Sequence, residues 1–217
     1  MLLNKSFSRR IGKRLSSLQQ ELLQSELPKF LLNETSLSIT IKKYEKIIIE
    51  IGFGMGEHLI NQMMINPNTL YLGIEVYMNG VANALKLAKL NNVSNFLIWP
   101  NDLDQILEII PKKAIAGIYL LFPDPWPKHH QNKKRILNQE RLTIFKEKLS
   151  TGAFLIFASD IEEYFKVAKK LIIDDSSFEL LSQDFLVPHA EYIITKYHQK
   201  AIDDNRQAQF MKAKIIN

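Results

Sequence analysis

The stretch that decides the fold is Ile47-Ile48-Ile49-Glu50-Ile51-Gly52-Phe53-Gly54-Met55-Gly56-Glu57. It begins as a short apolar run of β-branched residues, which is typical of a buried strand, and it passes directly into three closely spaced glycines. The stretch therefore predicts a strand, a tight turn and a helix that begins near Glu57. Gly52 and Gly54 are the candidates for close backbone contact with a ligand, because the N–H groups of a helix start are free to bind one.

Further apolar runs alternate with helical stretches along the chain. Val81, Ala84, Leu85 and Ala88 lie at the spacing of one apolar helix face. Continuous apolar strands separated by such helices indicate a parallel sheet covered on both faces, so we predict a doubly wound α/β fold. The predicted strands are residues 47–51, 70–75, 96–99, 117–122 and 153–158, with residues 178–181 and 192–197 as an antiparallel pair that ends a seven-stranded sheet.

The net charge of +5 is concentrated near the N-terminus, because residues 1–46 carry nine Lys and Arg against four Glu. Basic residues bind nucleic acids by releasing counterions from phosphates, although a solvated terminus has the same composition. We expect residues 1–45 to form a basic arm with a short helix around residues 15–27, which Pro28 interrupts. Residues 46–217 are expected to form a single domain.

Several classes of protein are disfavoured by composition. The chain has no cysteine, which rules out disulfides and thiolate metal sites. No apolar run approaches the roughly 20 residues of a membrane span, and the first residues lack the apolar core of a secretion signal. We expect a cytoplasmic protein without membrane contact, and a monomer and a homodimer are both compatible with the sequence.

Acidic residues stand at the ends of the predicted strands. Glu75 follows Gly56 by 19 residues, where a carboxylate can accept hydrogen bonds from both ribose hydroxyls of a nucleoside. Glu50 and Asp102 add negative charge, which would repel a pyrophosphate but suits the sulfonium and ammonium groups of S-adenosylmethionine. The pattern favours S-adenosylmethionine over NAD, although Glu50 and Asp102 could instead cap nearby helices.

The fourth predicted strand ends in Phe122-Pro123-Asp124-Pro125-Trp126-Pro127-Lys128. Three prolines stiffen the chain at the strand end, which is where open α/β sheets bind their ligands. Asp124 offers a carboxylate, and Trp126 offers a surface on which a base could stack. A rigid packed loop without a ligand is the alternative interpretation.

A basic run, Lys128-His129-His130-Gln131-Asn132-Lys133-Lys134-Arg135, follows without any acid. Beside a ligand site, such a run predicts contacts to phosphates. Metal binding by His129 and His130 is the competing interpretation. Adjacent histidines point apart in most backbone conformations and have no acidic partner nearby in the sequence, so we expect no metal.

Taken together, these segments resemble the bacterial tRNA (guanine-N7)-methyltransferases of the TrmB type. The glycine turn is shared with many methyltransferases, whereas Pro-Asp-Pro-Trp-Pro-Lys followed by basic residues is specific to this family. The resemblance covers nearly the whole chain and implies the class I S-adenosylmethionine methyltransferase fold. The segments that match the family are Glu50-Ile51-Gly52-Phe53-Gly54, Gly73-Ile74-Glu75, Asn101-Asp102, residues 122–135, Ser159-Asp160 and Thr195-Lys196-Tyr197.

The resemblance also implies a role for each matching residue. The implied reaction methylates N7 of guanine 46 in the variable loop of tRNA, with Asp124 as the catalytic residue. Glu50, Glu75, Asp102 and Asp124 are the implied cofactor contacts. The implied tRNA contacts are Lys128, His130, Lys133, Lys134, Arg135, Asp160, Thr195, Lys196, Tyr197 and His198.

The C-terminal part departs from the family pattern. His198 stands where the family usually has Glu, and Ala201, Asp203 and Asn205 replace its later glycines and arginine. These replacements predict an altered backbone and altered contacts at the lip of the substrate site.

Three other functions fit parts of the pattern. Amino-group methyltransferases acting on adenine or on proteins use an Asp-Pro-Pro-aromatic loop, but the order here is Asp-Pro-Trp-Pro. A non-catalytic RNA-binding protein could keep a methyltransferase fold, because fold does not establish activity. A dehydrogenase is disfavoured because the turn lacks the GxGxxG spacing of dinucleotide-binding proteins.

Overall fold

A computed structural model of the chain describes Arg10, Gly12 and residues 14–216, without the side chains of His129, His130 and Asn132. The strands are β1 (Lys46–Ile51), β2 (Thr69–Ile74), β3 (Phe96–Trp99), β4 (Ile115–Leu121), β5 (Leu149–Ser159), β6 (Phe178–Leu180) and β7 (Gln209–Ile215). They form a seven-stranded sheet in the order β3-β2-β1-β4-β5-β7-β6. The predicted α/β fold with seven strands is confirmed.

The helices complete the α/β alternation. They are α1 (Ser17–Ser25), α2 (Leu27–Phe30), α3 (Glu34–Thr40), α4 (Glu57–Ile65), α5 (Met78–Leu90), α6 (Leu103–Leu107), α7 (Gln139–Lys148), α8 (Glu162–Ile173) and α9 (Lys196–Asp203). Short 3-10 helices cover Ile41–Lys43 and His129–Lys134. Among the described helices, none is both long enough and apolar enough to cross a lipid bilayer.

The chain divides into two compact units, an N-terminal unit of residues 1–109 and a C-terminal unit of residues 110–217. In the N-terminal unit, β1 pairs in parallel with β2, and β2 pairs in parallel with β3. Every residue of β2 is buried, as expected for a parallel strand covered on both faces. The predicted apolar face of α5 is also confirmed, because Val81, Ala84, Leu85 and Ala88 are all buried.

The segment before β1 contains more structure than the single short helix predicted. Pro28 lies in the first turn of α2, where its missing N–H costs nothing, so it starts a helix as well as ending the one before. Phe30 stacks on Phe96 with ring centroids 4.3 Å apart, and the Leu32 N–H donates to the Ile98 carbonyl. The helices α2 and α3 were missed because four and seven residues are too few to show an apolar period.

In the C-terminal unit, β4 pairs in parallel with β5, and β7 pairs antiparallel with both β5 and β6. The predicted antiparallel ending is confirmed, but residues 192–197 were the wrong segment for the last strand. Thr195 instead caps α9, because its Oγ1 accepts a hydrogen bond from the His198 N–H at 3.2 Å. The last strand is β7, which exposes Lys212 and buries Phe210, Met211, Ala213 and Ile215. This alternation of apolar and polar residues is typical of a strand, and residues 192–197 lack it.

The start of α8 does not use the Asp160 side chain as its cap. The helix begins at Glu162, with Ile161 at the N-cap position and the Ser159 Oγ accepting from the Ile161 N–H. The Asp160 carboxylate is instead bound by Arg206, whose Nε donates to Asp160 Oδ2 at 2.6 Å. The Asp160 side chain therefore serves in an ion pair and not as a helix cap.

Candidate active site

The turn between β1 and α4 has a left-handed backbone at its glycines. Gly52 has a φ of 72° and Gly56 a φ of 84°, a region that residues with a Cβ rarely adopt. A Cβ on Gly56 would lie 2.7 Å from that of Ala84, whereas one on Gly52 would meet no described atom within 4 Å. The turn thus packs closely against α5 at one end and leaves open space at the other.

Glu75 lies at the end of β2 and binds this turn. Its Oε2 accepts from the Gly54 N–H at 2.7 Å, and its Oε1 accepts from the Tyr77 N–H at 2.9 Å. The residue is buried, so these charge-assisted bonds fix the carboxylate in place. A carboxylate oxygen has lone pairs for more than one donor, so ribose hydroxyls can be accepted alongside the backbone.

Glu50 is buried at the end of β1, next to a residue that sequence reasoning missed. Its Oε2 lies 2.8 Å from His58 Nδ1, and the two side chains are 3% and 1% exposed. The eight-residue separation spans a strand, a turn and a helix start, so no periodicity in the sequence signals this pair. The observed partner of Glu50 is therefore a side chain of α4, and its predicted cofactor contact stays a prediction.

Asp102 stands at the N-cap position of α6, but its side chain makes no capping hydrogen bond. Its Oδ2 lies 3.8 Å from an Arg10 guanidinium nitrogen, and the same nitrogen binds the Asn101 side chain. Trp99 donates its indole N–H to the Asp102 carbonyl at 2.8 Å. The helix-capping alternative for Asp102 is therefore not supported. The observed charged partner of its carboxylate is Arg10, a residue of the basic arm.

The N-terminal unit therefore combines an open glycine turn with the carboxylates of Glu50, Glu75 and Asp102. These acceptors match ribose hydroxyls and cationic groups, and they are unsuited to a pyrophosphate. This set of acceptors fits S-adenosylmethionine.

In the C-terminal unit, the 122–128 loop follows β4. Its Phe122 and Trp126 have φ values of 53° and 43°, which are unusual for residues that carry a Cβ. The Phe122 N–H donates to the Ala158 carbonyl at 2.9 Å, which ties the start of the loop to β5. Asp124 is exposed between these two strained positions, and Lys134 lies 4.8 Å from the Trp126 ring centroid.

The basic run forms the 3-10 helix His129–Lys134, and its members are not equivalent. Lys128 and Lys133 are exposed, as phosphate contacts require, whereas the side chain of His130 lies outside the described part of the structure. Arg135 is only 1% exposed, and its Nε donates to the Pro125 carbonyl at 2.8 Å. Its predicted role as an RNA contact is therefore not supported, because protein groups enclose the guanidinium.

The predicted substrate residues near α9 divide into exposed and packed ones. Lys196 and Tyr197 are exposed, whereas Thr195 is buried as the helix cap. His198 stacks on Phe122 with centroids 5.3 Å apart, and its Nδ1 lies 3.0 Å from the Tyr192 hydroxyl. The residue that replaces the usual Glu thus contacts the first residue of the 122–128 loop.

Stability should depend on pH through His198. Burial lowers the pKa of His198 below its ordinary value of 6.5, against an opposing effect of the Asp160 carboxylate. Because the unfolded chain takes up this proton first as pH falls, the folded state should lose stability from about pH 6.5 downward. Urea unfolding from about pH 7.5 to pH 5 should show a smaller loss for His198→Gln than for the wild type, and parallel profiles would refute this.

The order of the seven strands, with β7 antiparallel to both of its neighbours, is the fold of the class I S-adenosylmethionine methyltransferases. A mutant of the 16S rRNA (adenine(1408)-N(1))-methyltransferase from Catenulisporales acidiphilia, solved with the cosubstrate SAM, has the same fold with a TM-score of 0.62. The two sequences are only 13% identical, over 86% of this chain and 92% of that one, so this likeness shows the fold alone.

Residues 44–211 match the family Methyltransf_4, described as "Putative methyltransferase". The tRNA (guanine-N(7)-)-methyltransferase of Wolbachia pipientis wMel is 32% identical over 214 residues, which cover 98% of this chain and 92% of that protein. This chain belongs to the TrmB family of tRNA (guanine-N7)-methyltransferases. A "Bifunctional methyltransferase" of Rickettsia typhi is 55% identical over 96% of this chain, but the chain spans only 40% of that relative's length.

Proposed function

We propose that this chain transfers a methyl group from S-adenosylmethionine to N7 of a guanine in tRNA. The observation that carries the proposal is the exposed Asp124 carboxylate, held in a proline-stiffened loop directly before the exposed Lys128 and Lys133. Membership of the TrmB family supports the choice of tRNA and of N7.

The residues of the N-terminal unit are proposed to bind the cofactor. Glu75 accepts hydrogen bonds from the ribose, Gly52 and Gly54 allow close approach of the backbone, and Glu50 and Asp102 supply negative charge. When bound, S-adenosylmethionine supplies an electrophilic methyl group whose bonding pair to sulfur stays with the sulfur on transfer. For Asp102, binding requires Arg10 to share or release a carboxylate that it contacts in this structure.

The residues of the C-terminal unit are proposed to present the guanine. N7 carries a lone pair and no proton, so its attack requires no general base, and correct positioning is the main contribution of the protein. Positive charge develops on the purine as the new N7–carbon bond forms. The fixed carboxylate of Asp124 stabilises that charge through space, which assigns it an electrostatic role rather than a proton-transfer role.

Exposed basic residues are proposed to bind the tRNA backbone. Lys128 and Lys133 are exposed, and Lys134 follows Lys133 at the end of the 3-10 helix His129–Lys134. Lys196 and the exposed aromatic ring of Tyr197 extend the candidate surface near α9, and Tyr197 or Trp126 could stack on an extruded base. Asp160 is less suited to a direct tRNA contact, because Arg206 already binds its carboxylate.

The affinity for tRNA should fall steeply as salt rises, because binding of lysines to phosphates releases counterions. Lys133→Met should lower the slope of log Kd against log salt by about 1, with affinity reduced for all tRNA sequences alike. Filter binding at several salt concentrations measures the slope. Lys166→Met on α8, where the lysine pairs with Glu162, is the matched control and should leave the slope unchanged.

Guanine 46 in the variable loop is the proposed target position, on the strength of the resemblance alone. Borohydride reduction and aniline cleavage of the methylated tRNA would locate the modified base. Action on tRNA agrees with the cytoplasmic location expected from the sequence. That location and the choice between monomer and homodimer remain predictions.

Methylation of unmodified tRNA by the purified chain, followed by digestion to nucleosides, tests the proposed function. We expect N7-methylguanosine as the product. A product of N6-methyladenosine would instead identify an amino-group methyltransferase. Binding of tRNA and S-adenosylmethionine without any methylated nucleoside would identify a non-catalytic RNA-binding protein.

A further inference from the structure

We propose that Arg135 is a positioning residue for methyl transfer, whose buried guanidinium holds the 122–128 loop in the conformation that presents Asp124. This inference rests on the proposed function, and it assigns Arg135 a role different from the phosphate contact implied by the resemblance.

The first observation is that the loop does not rest in a relaxed conformation. Phe122 and Trp126 both have positive φ values, although neither is a glycine. Such backbone conformations persist only where the surrounding structure holds them. Asp124 lies between them and is exposed, so packing into the core cannot fix its position. The conformation of the backbone on either side therefore bears directly on where Asp124 lies.

The second observation is the set of bonds that Arg135 makes. Its Nε donates to the Pro125 carbonyl at 2.8 Å, one residue beyond Asp124. Its two terminal nitrogens bind both carboxylate oxygens of Glu163, with the Oε1 contact at 3.1 Å. The guanidinium carbon lies 4.6 Å from the ring centroid of Tyr164. One planar group therefore connects the loop to two consecutive residues of α8.

Tyr164 completes this support. The ring is fully buried, and its hydroxyl accepts a hydrogen bond from the Leu137 N–H at 3.1 Å, two residues beyond Arg135. Burial raises the pKa of Tyr164 to about 12. The phenol is therefore neutral, and both its ring and its hydroxyl fix the chain around Arg135.

The third observation is that RNA cannot reach this guanidinium. The Arg135 side chain is 2% exposed, compared with 59% for its partner Glu163. A phosphate would have to displace the Glu163 carboxylate and open the contact with Tyr164. The neighbouring Lys133 is exposed and carries the same charge without such constraints. Phosphate binding is therefore assigned to the lysines of the run and loop support to its arginine.

Arg135→Lys separates the two roles, because it keeps the positive charge and removes the planar fork. A phosphate contact tolerates lysine as a point charge, but one ammonium nitrogen cannot occupy the three positions from which the guanidinium nitrogens bind Pro125 and Glu163. We expect kcat to fall about 100-fold while the tRNA Kd, its salt slope and the KM for S-adenosylmethionine stay unchanged. Lys133→Met is the comparison variant and should weaken tRNA binding instead.

A second measurement reports the exposure of the 122–128 loop directly, through the fluorescence of Trp126. The chain has two tryptophans, so a Trp99→Phe background leaves Trp126 as the only indole, and acrylamide quenching then reports its exposure. In that background, Arg135→Lys should raise the quenching constant about twofold, because the contacts that hold the loop are lost. Glu163→Gln, which keeps a hydrogen-bonding oxygen at a half-exposed site, should change quenching and kcat in the same direction but less.

Wild-type kcat in a folded Arg135→Lys protein would overturn the proposal, as would weaker tRNA binding with unchanged quenching. If Arg135→Lys does not fold, Glu163→Gln is the variant that tests the proposal. Unchanged kcat and unchanged quenching in Glu163→Gln would overturn the proposal. Failure of the proposed function is distinguishable. If the wild-type chain makes no N7-methylguanosine, the proposed function is refuted. Quenching still tests whether Arg135 holds the loop.

Discussion

Asp124→Ala is expected to reduce kcat for tRNA methylation about 100-fold to 1000-fold, because it removes the fixed negative charge that stabilises the developing purinium. The side chain is exposed, so we expect the variant to fold and to melt close to the wild-type temperature. Initial rates with saturating tRNA and S-adenosylmethionine measure kcat, and circular dichroism checks the fold.

Two variants sharpen this prediction. Asp124→Asn keeps the size and hydrogen-bonding oxygen of the side chain but not its charge, so a loss close to that of the alanine variant identifies the charge as the contribution. Asp174→Ala removes an exposed acid that pairs with Lys170 at the end of α8, and it should retain wild-type turnover. Wild-type kcat in Asp124→Ala would remove this residue from the catalytic assignment.

Glu75→Gln is expected to weaken S-adenosylmethionine binding about 100-fold, because charge-assisted hydrogen bonds contribute roughly 1.5–3 kcal/mol each. The amide cannot accept from the Gly54 and Tyr77 N–H groups together, since its nitrogen is a donor. The substitution therefore removes one of the two backbone hydrogen bonds of Glu75 and also weakens the proposed hydrogen bonds to the ribose. Isothermal titration calorimetry measures the Kd, and thermal unfolding should also show some loss of stability.

Glu108→Gln is the matched control for this loss of charge. Glu108 is exposed just after α6, so its replacement should leave the Kd for S-adenosylmethionine unchanged. An unaltered Kd in Glu75→Gln would show that this carboxylate holds the turn without contacting the cofactor.

The strand, the glycine turn and the position of Glu75 beside it could be predicted because each has a local cause in the sequence. An apolar run followed by glycines requires a strand and a turn wherever it occurs, and Glu75 ends the next strand at a separation set by one helix. The left-handed backbone at Gly52 and Gly56 and the bonds from Gly54 to Glu75 agree with that reasoning. Three prolines also predicted a stiff 122–128 loop, and that stiffness stays a prediction.

The parts that were missed depend on partners distant in the sequence. His58 pairs with Glu50 across the glycine turn, and Arg206 binds Asp160 across 46 residues. Arg135 looked like an exposed cation because its neighbours are basic, and only the fold shows that it faces Glu163 and Tyr164. Charge runs predict exposure on average, but they do not show which member faces inward.

The position of β7 was missed for a different reason. Residues 192–197 are rich in β-branched and aromatic side chains, but Thr195 makes a helix cap, and a helix follows. The alternation of buried and exposed side chains from Phe210 to Ile215 was the available signal. Local capping therefore outweighed strand propensity in this part of the chain.

Transfer of labelled methyl groups to a tRNA transcript made with 7-deazaguanosine in place of guanosine tests the central claim most directly. The substituted transcript keeps the phosphates and the Watson–Crick edges of the bases but lacks the nitrogen at position 7. If guanine N7 is the acceptor, the substituted tRNA should bind with an affinity close to that of the normal transcript and accept no methyl groups. Continued methyl transfer to it would contradict the account.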